Sequence, residues 1–191
     1  MSTEKSRSSE HVSGNVARKE GFIEGLSAGG VFTVTCVDKN GNEKWVDIAP
    51  NLVTNVGLQS MNTQFFTGSA YTAAWYIGLV NGTSASTTFS GGDTLATHAG
   101  WTENSSYAGT RKAASFGTAT LNDPSNINNS ASAASFTMNA NATIAGAFLA
   151  NVASGTTGLL FSAADFQSPG DRTVVSGDVL NITYSFNLDA V

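Results

Sequence analysis

The sequence predicts an all-β protein: an antiparallel β-sandwich or jelly roll with one short helix, preceded by a β-hairpin and an extended N-terminal arm. Apolar and polar residues alternate without interruption from 180 to 189, and a period of two over that length is typical of a strand with one buried face and one solvated face. The pair Asn40-Gly41 lies between two further alternating runs and is typical of a hairpin turn. The abundant Ser, Thr and Asn residues compete with helical backbone hydrogen bonds, which favours sheets and turns.

Residues 1–28 are predicted to form the arm. The first 20 residues hold seven charged side chains and almost no apolar ones, and such a composition does not form a core of its own. We therefore expect contact with another molecule to order the arm; packing on its own body is the alternative. In the first case Phe22 and Ile23 serve as apolar anchors, and Arg18 and Lys19 fix the register of binding.

Residues 29–50 are predicted to form the hairpin. The alternating runs 31–37 and 43–48 flank the Asn-Gly pair, which supplies the two positive φ angles of a type I′ turn. Because an isolated two-stranded ribbon is marginally stable in water, this ribbon must lie on the main body or on a partner. Trp45 is a third candidate anchor for that partner.

One helix is predicted after Pro50, with Asn51 as its N-cap and its end near Phe66. Gly57 lies inside the helix and lowers its stability by about 1 kcal/mol relative to alanine. Five apolar residues fall near one side, which suits a short helix laid across a sheet. They are Leu52, Val53, Val56, Met61 and Phe65.

Residues 51–191 are predicted to form the sandwich domain. After the helix, short apolar or alternating runs are separated by turn-rich loops. About eight short strands at this spacing favour a sandwich or jelly roll over a barrel. The predicted strands of this domain comprise residues 75–80, 113–121, 136–144, 147–152, 158–161, 173–175 and 178–189.

Charge is distributed unevenly along the chain. The net charge is −5; residues 1–44 hold six basic and six acidic side chains, whereas the remainder holds three and eight. An acidic body repels phosphate backbones, so we expect no nucleic-acid partner. We also expect no membrane partner and no secretion, because the sequence has neither a run of 18 apolar residues nor a basic start followed by an apolar stretch.

The densest group of chemically active side chains lies between Asp93 and Glu103. Asp93, His98 and Glu103 are candidate metal ligands, or a base with its orienting acid. Their spacing of five residues places neighbours on opposite faces of a strand, so binding one ion requires the loop to fold back. We prefer a structural interpretation, in which Asp93 caps a turn, His98 bonds to the backbone and Trp101 is buried.

The other candidate groups do not predict catalysis. Cys36, the single cysteine, lies in the middle of an alternating strand, where a small buried thiol is the ordinary interpretation. Asp165, Asp171 and Asp178 are candidate calcium ligands, but the turn-like sequence around each accounts for them. The sequence has no nucleophile elbow, phosphate loop or dinucleotide fingerprint. We therefore predict a protein that is not an enzyme and that has no catalytic residue, no metal and no cofactor.

Four blocks of sequence carry a resemblance to a known family. They comprise residues 51–58, residues 75–80, residues 93–103 with Tyr107 and Arg111, and a last group formed by 143–149, 156–158 and 174–184. In this order they resemble small virion structural proteins encoded by short-tailed and related bacteriophages and by prophages. The resemblance covers roughly residues 51–189.

The resemblance implies a virion component, and specifically a capsid decoration or cement protein. Such a protein binds the outer shell, has the major capsid protein as its partner and ties neighbouring subunits together, often as a homo-oligomer (a dimer or trimer). It is made in the cytoplasm of the bacterial host and resides on the outer capsid surface of the virion. The alternative is a tail or head fibre that binds a host receptor. A remote alternative is a metal-dependent enzyme that uses Asp93, His98 and Glu103.

Overall fold

The computed structural model describes residues 25–68, 73–82, 87–167 and 169–190. In this part of the chain two antiparallel sheets pack against each other, which confirms the predicted all-β sandwich with a short helix. The strands are β1 (Leu26–Val37), β2 (Glu43–Pro50), β3 (Leu52–Val53), β4 (Tyr76–Asn81), β5 (Glu103–Asn104), β6 (Lys112–Ala113), β7 (Ser125–Asn128), β8 (Ala134–Thr137), β9 (Ala142–Ala150), β10 (Leu160–Asp165), β11 (Arg172–Val174) and β12 (Val179–Ala190), and the helix is α1 (Asn55–Thr67).

The first sheet has the strand order β2-β1-β12-β7, and β8 also pairs with β12. Strands β1 and β12 pair over twelve residues, from Leu26 opposite Ala190 to Val37 opposite Val179. The alternation predicted for the last strand is confirmed, because every second residue from Leu180 to Phe186 is buried in the core, Leu188 packs against the core, and the residues between them are not buried. One face of this sheet therefore lies in the core and the other faces outwards.

The predicted hairpin is part of the first sheet. Strand β1 lies between β2 and β12, so its inward residues Phe32, Val34 and Cys36 are covered from both sides. The hairpin therefore lies on the main body, which is one of its two predicted placements, and residues 26–28 of the predicted arm belong to β1. The remaining arm residues, including Arg18, Lys19, Phe22 and Ile23, lie outside the described residues.

The turn of the hairpin differs from the predicted type I′ geometry. Only Gly41 has a positive φ, of 86°, and its N–H donates to the carbonyl of Asp38 at 3.0 Å. The Asp38 carboxylate accepts the backbone N–H groups of Asn40 and Asn42 at 2.8 and 2.9 Å. These hydrogen bonds stabilise a longer loop, because an aspartate at the start of a turn competes with the Asn-Gly preference.

The second sheet has the strand order β3-β10-β9-β4-β5, with β11 paired to β9 and β6 paired to β4. Two predicted strands take a different form here. The run 136–144 is divided between β8 in the first sheet and β9 in the second, and β9 continues through the run predicted as a separate strand. Of the run 113–121, only its first residue is in a strand, β6. A period of two is preserved when the chain crosses between sheets, so alternation alone does not reveal the crossing.

Helix α1 begins later than predicted. Thr54 is its N-cap, since its Oγ1 accepts the Gly57 N–H at 3.0 Å. Asn51 instead accepts the Gly30 N–H at 2.6 Å, and the next two residues form β3. Asn and Thr are both good N-caps, so the local sequence does not distinguish the two positions. No helix within the described residues has the length and hydropathy needed to span a membrane.

The apolar side predicted for the helix does not face the sheet as a unit. Met61 packs against the core, but Leu52 and Phe65 are exposed. Gly57 is buried where α1 meets β10, and a Cβ atom at this position would lie 2.6 Å from the carbonyl oxygen of Phe161. The glycine that weakens the isolated helix therefore allows its backbone to approach the sheet.

Two apolar clusters stabilise the sandwich. The larger one lies between the sheets. The smaller one lies on the opposite side of the second sheet, beneath residues 87–102, which we call the covering loop. From residue 144 to residue 150, strand β9 is buried on both faces, which explains why this part of its sequence is continuously apolar. The smaller cluster contains Val80, Leu95, Trp101, Ala145, Phe148, Ala150, Leu160 and Ala163.

Substitution of Gly57 by alanine tests the contact between α1 and β10. Helix propensity alone predicts a gain of about 1 kcal/mol, but the added methyl group would overlap the Phe161 carbonyl, so we expect a loss of about 1–3 kcal/mol. Urea denaturation measures the change. The control is Asn62→Ala, an exposed position in the same helix, which should be neutral or slightly stabilising. A stabilised Gly57→Ala variant would contradict the close approach.

Candidate functional site

The covering loop is held on the second sheet by the Trp101 ring. Trp101 is 5% exposed, and its ring centroid lies 5.2 Å from that of Phe148 and 5.8 Å from that of Phe89. Phe148 lies over Gly78, where any side chain would overlap its ring. The chain therefore uses a glycine in β4 to seat an aromatic group of β9, and the loop packs on that group.

Asp93 and His98 both contact Trp101. The Asp93 carboxylate accepts the indole N–H of Trp101 at 3.0 Å and the backbone N–H of Ser90 at 3.1 Å. The His98 ring stacks on the indole, with 3.9 Å between centroids, and its Nδ1 bonds to the Trp101 carbonyl oxygen at 2.9 Å. The structural interpretation of these three residues is confirmed: Asp93 closes a turn, His98 bonds to the backbone and Trp101 is buried.

Glu103, the third candidate ligand, is bound to Arg111. The guanidinium donates from Nε and Nη2 to the two carboxylate oxygens at 2.8 and 2.7 Å. Arg111 is 5% exposed and also donates to the carbonyls of Val152 and Gly155, with its guanidinium 5.1 Å from the Phe148 ring centroid. Local sequence patterns do not reveal this pair, because no spacing rule connects a strand residue to a buried arginine in the next loop.

The three candidates therefore do not converge on one point. Within the described ranges, no group of three or more His, Cys, Asp or Glu side chains has a geometry that could hold a metal ion. Two other carboxylates are buried, and both are paired: Asp47 accepts from Arg172 at 2.6 Å, and Asp178 accepts from Lys44 at 2.5 Å. Asp178 also accepts the Val175 N–H at 2.9 Å, as its predicted turn role requires.

Cys36 is fully buried in β1, as predicted. Burial, with a smaller contribution from the negative charge of Asp178, raises the pKa of its thiol to about 11. A thiol with this pKa remains protonated at neutral pH and is a poor nucleophile. The position therefore favours a packing role.

A cavity of about 130 Å³ lies between the sheets. Pockets for small-molecule ligands are typically about 300–1,000 Å³, so this one is closer in size to a single aromatic ring. Its lining is almost entirely apolar, and it provides no constellation for acid–base or nucleophilic chemistry. It is lined by Trp75, Phe116, Ile127, Leu149, Phe161, Tyr184 and Phe186.

Trp45, the candidate anchor in the hairpin, is half-buried against its own chain. Its ring lies 5.8 Å from that of Phe166 in an edge-on contact, and the guanidinium of Arg172 lies 5.6 Å from the ring. It packs against the core between the sheets. Most of this ring therefore stabilises the sandwich, and little of it is left for a partner.

Among the residues that the structure describes, the most exposed aromatic side chains lie on helix α1. Phe65 and Phe66 are 81% and 77% exposed, and their rings contact each other edge to face at 5.0 Å. Leu58 is also exposed and lies two turns before Phe65 on the same side. The helix contains no charged residue. We call Leu58, Phe65 and Phe66 the α1 apolar patch. The sequence does not reveal this patch, because the helical pattern places Phe65 on the side predicted to face the sheet.

The outward face of the first sheet is a second uncovered surface. Between the two ends of β1 its side chains are neutral, because the outward positions of β1, β2 and β12 hold Val, Thr, Asn, Ser, Ile and Pro. We call this surface the outer face and define it by Val31, Thr33, Thr35, Val46, Ile48, Pro50, Asn181, Thr183 and Ser185.

A comparison of the chain with protein-family models, curated proteins and solved structures finds no match.

Replacing His98 by alanine tests the structural role of the covering loop. Loss of the ring stack and of the hydrogen bond to the Trp101 carbonyl should cost about 1–2 kcal/mol. The melting temperature of the His98→Ala variant should therefore lie below that of the wild type by the same amount in buffer, with a chelator and with added zinc. Thr102→Ala, an exposed neighbour, is the control. A wild-type melting temperature that falls on adding chelator and that becomes insensitive in His98→Ala would instead support a metal site.

The raised pKa of Cys36 predicts a loss of stability in alkaline solution. Below the ordinary value of 9.0 both states hold the proton; between about 9 and 11 the unfolded thiol releases it while the buried thiol keeps it, so the free energy of unfolding falls as the pH rises. Burial also raises the pKa of Tyr107, to about 12, and that of Tyr184, which adds the same trend from about pH 10.

Urea midpoints at pH 8, 9 and 10 measure this loss of stability. The Cys36→Ala variant should start from a lower stability, because it removes a buried side chain, but should show a shallower decline with pH. Equal slopes in the two proteins would show that the thiol is not the group responsible.

Proposed function

We propose that this chain is a capsid decoration or cement protein of a bacteriophage, which binds the outer shell and stabilises contacts between major capsid protein subunits. The observation that carries the proposal is the α1 apolar patch: an uncharged helix presents two phenylalanines, each about four-fifths exposed, to a potential partner. Large exposed aromatic groups mark interaction sites on protein surfaces. The three side chains that the sequence suggested for catalysis, Asp93, His98 and Glu103, are each bound to other groups of the fold.

The free energy available at the patch is sufficient for an anchor. Burying a phenylalanine side chain contributes about 1.5–3 kcal/mol, so Phe65 and Phe66 together supply about 3–6 kcal/mol. Contacts of this kind commonly dominate an interface, with surrounding residues that exclude water. Because the helix has no charge, this part of the binding should depend little on salt.

The rest of the proposal follows from the resemblance and from the sequence of the arm. The arm, with Arg18, Lys19, Phe22 and Ile23, extends the contact across the shell, while the sandwich covers a joint between capsomers. An added interface of roughly 1,200–2,000 Å² at each joint opposes its opening when packaged DNA loads the shell. The protein is made in the host cytoplasm and binds the outer capsid surface.

The double variant Phe65→Ser, Phe66→Ser tests the proposal with purified shells of the phage that encodes this chain. Serine and phenylalanine have similar helix propensities, and both side chains are largely exposed, so the variant should fold. Its affinity for shells should fall by at least about 100-fold, corresponding to the loss of about 3 kcal/mol. Leu121→Ser is the matched control, since Leu121 is fully exposed but lies outside the patch.

Copy number in purified virions separates the candidate roles. A decoration protein should be present in hundreds of copies and a fibre in tens or fewer, as measured by gel quantitation against the major capsid protein. Full shell affinity in the double serine variant, or a copy number of tens, would overturn the proposal. The second result would favour the fibre role.

A further inference from the structure

The outer face of the first sheet has the geometry of a self-complementary surface. Thr33 pairs with Ile48 of β2 on one side and with Thr183 of β12 on the other, so these three residues form a row across the centre of the face. A second row, Val46, Thr35 and Asn181, flanks it towards one end of the strands. A third row, Pro50, Val31 and Ser185, flanks it towards the other end.

The geometry points to a two-fold dimer in which the outer face of one copy packs on the outer face of a second copy, with the axis along the row Ile48, Thr33, Thr183. A half-turn about this row exchanges the two flanking rows. Val46 then lies opposite Pro50, and Asn181 opposite Ser185. Apolar groups meet apolar groups at β2, and an amide meets a hydroxyl at β12, as an isologous contact requires.

A two-fold axis that also lies in the plane of the contact, but runs along the strands instead of across them, fits the face poorly. It would place the exposed apolar groups of β2, such as Ile48 at 60% exposure, over the opposite edge of the sheet. That edge carries amide groups already hydrogen-bonded to one another: the Asn126 amide donates to Ser185 Oγ at 2.6 Å and to Asn187 Oδ1 at 2.7 Å. An axis across the strands keeps β2 on β2 and leaves these amides at the polar side of the contact.

Charge favours this face as the place where two copies meet. Beyond residue 44 the chain has three basic and eight acidic residues, so two bodies repel each other in most orientations. The charged groups of the first sheet lie near its ends, with Asp38, Glu43 and the Asp178-bound Lys44 near the hairpin turn and Asp189 at the far end of β12, or point inwards, as Asp47 does. The proposed contact therefore brings together no like charges at its centre.

The area of the face predicts a weak dimer. The face extends about 30 Å along the strands between the charged ends, and it spans about 19 Å across four strand positions when the position beside β12 that β7 and β8 share is included, so each copy contributes roughly 550 Å². The total of about 1,100 Å² lies near the lower limit for a specific interface. We therefore expect a weak dimer that forms only at micromolar or higher protein concentrations. On a shell, anchoring both copies would raise their effective concentration.

Sedimentation equilibrium of the full-length protein from 1 to 500 µM tests the dimer. The wild type should change from monomer to dimer over this range. Thr33→Lys places two ammonium groups against each other at the axis, so it should remain monomeric and folded. Thr173→Lys makes the same change at an exposed position of the second sheet and should dimerise as the wild type does.

A pair of opposite charges that restores the dimer identifies the position of the two-fold axis. Val31 of one copy lies opposite Thr35 of the other, so Val31→Glu and Thr35→Lys should each weaken the dimer at least about 10-fold. The double variant should recover most of the loss through two symmetric ion pairs. A wild type that stays monomeric at 500 µM, a Thr33→Lys protein that dimerises normally, or a double variant without recovery would overturn the proposed dimer.

Shell binding distinguishes this inference from the proposed function. The dimer is measured on the isolated protein, and the α1 apolar patch is not part of the outer face. A monomeric wild type that binds shells through Phe65 and Phe66 would remove only the dimer. A dimer that binds no shell would remove only the decoration role.

Discussion

The fold depends on the pairing of β1 with β12, which joins the first and last described strands over twelve residues. The other strands of the first sheet attach to this pair, β2 to β1 and β7 and β8 to β12. The pair also links the two sheets, because the Tyr184 hydroxyl accepts from Asn51 at 2.8 Å and from Ser162 at 3.3 Å. Gly30 makes room for this hydroxyl, since a Cβ there would lie 2.7 Å from it. A long-range pairing of this kind brings ends of the chain together at a cost in loop-closure entropy that extensive burial offsets.

The same arrangement explains where the reactive side chains lie. The second sheet is covered on both sides, so the loop that carries Asp93, His98 and Trp101 is a lid over an apolar cluster. Its polar groups satisfy one another, and Arg111 fixes the beginning of β5 through Glu103. A buried arginine requires its partners, because an unpaired charge in that position is strongly destabilising. The side chains from Asp93 to Arg111 that could take part in chemical reactions therefore serve to stabilise the fold.

The features that remain available for binding a partner are two uncovered surfaces. The α1 apolar patch and the outer face share two properties: they are uncharged, and the described residues leave them uncovered. They differ in shape, since one is a protruding pair of aromatic rings and the other is a flat sheet. A protruding pair suits insertion into a pocket of a partner, whereas a flat face suits another flat face. This difference is the physical basis for assigning them to different partners.

The sequence by itself determined the fold class, the last strand, the hairpin strands and the structural roles of Asp93, His98 and Trp101, because a period of two and local turn chemistry depend only on neighbouring residues. Only the tertiary structure decided that the hairpin enters the main sheet, that the run 136–144 crosses between sheets and that Thr54 rather than Asn51 caps the helix. It also decided that Glu103 pairs with Arg111 and that Phe65 and Phe66 point away from the core. These features depend on contacts between residues distant in sequence, and no local pattern records which distant strand or loop a side chain will meet.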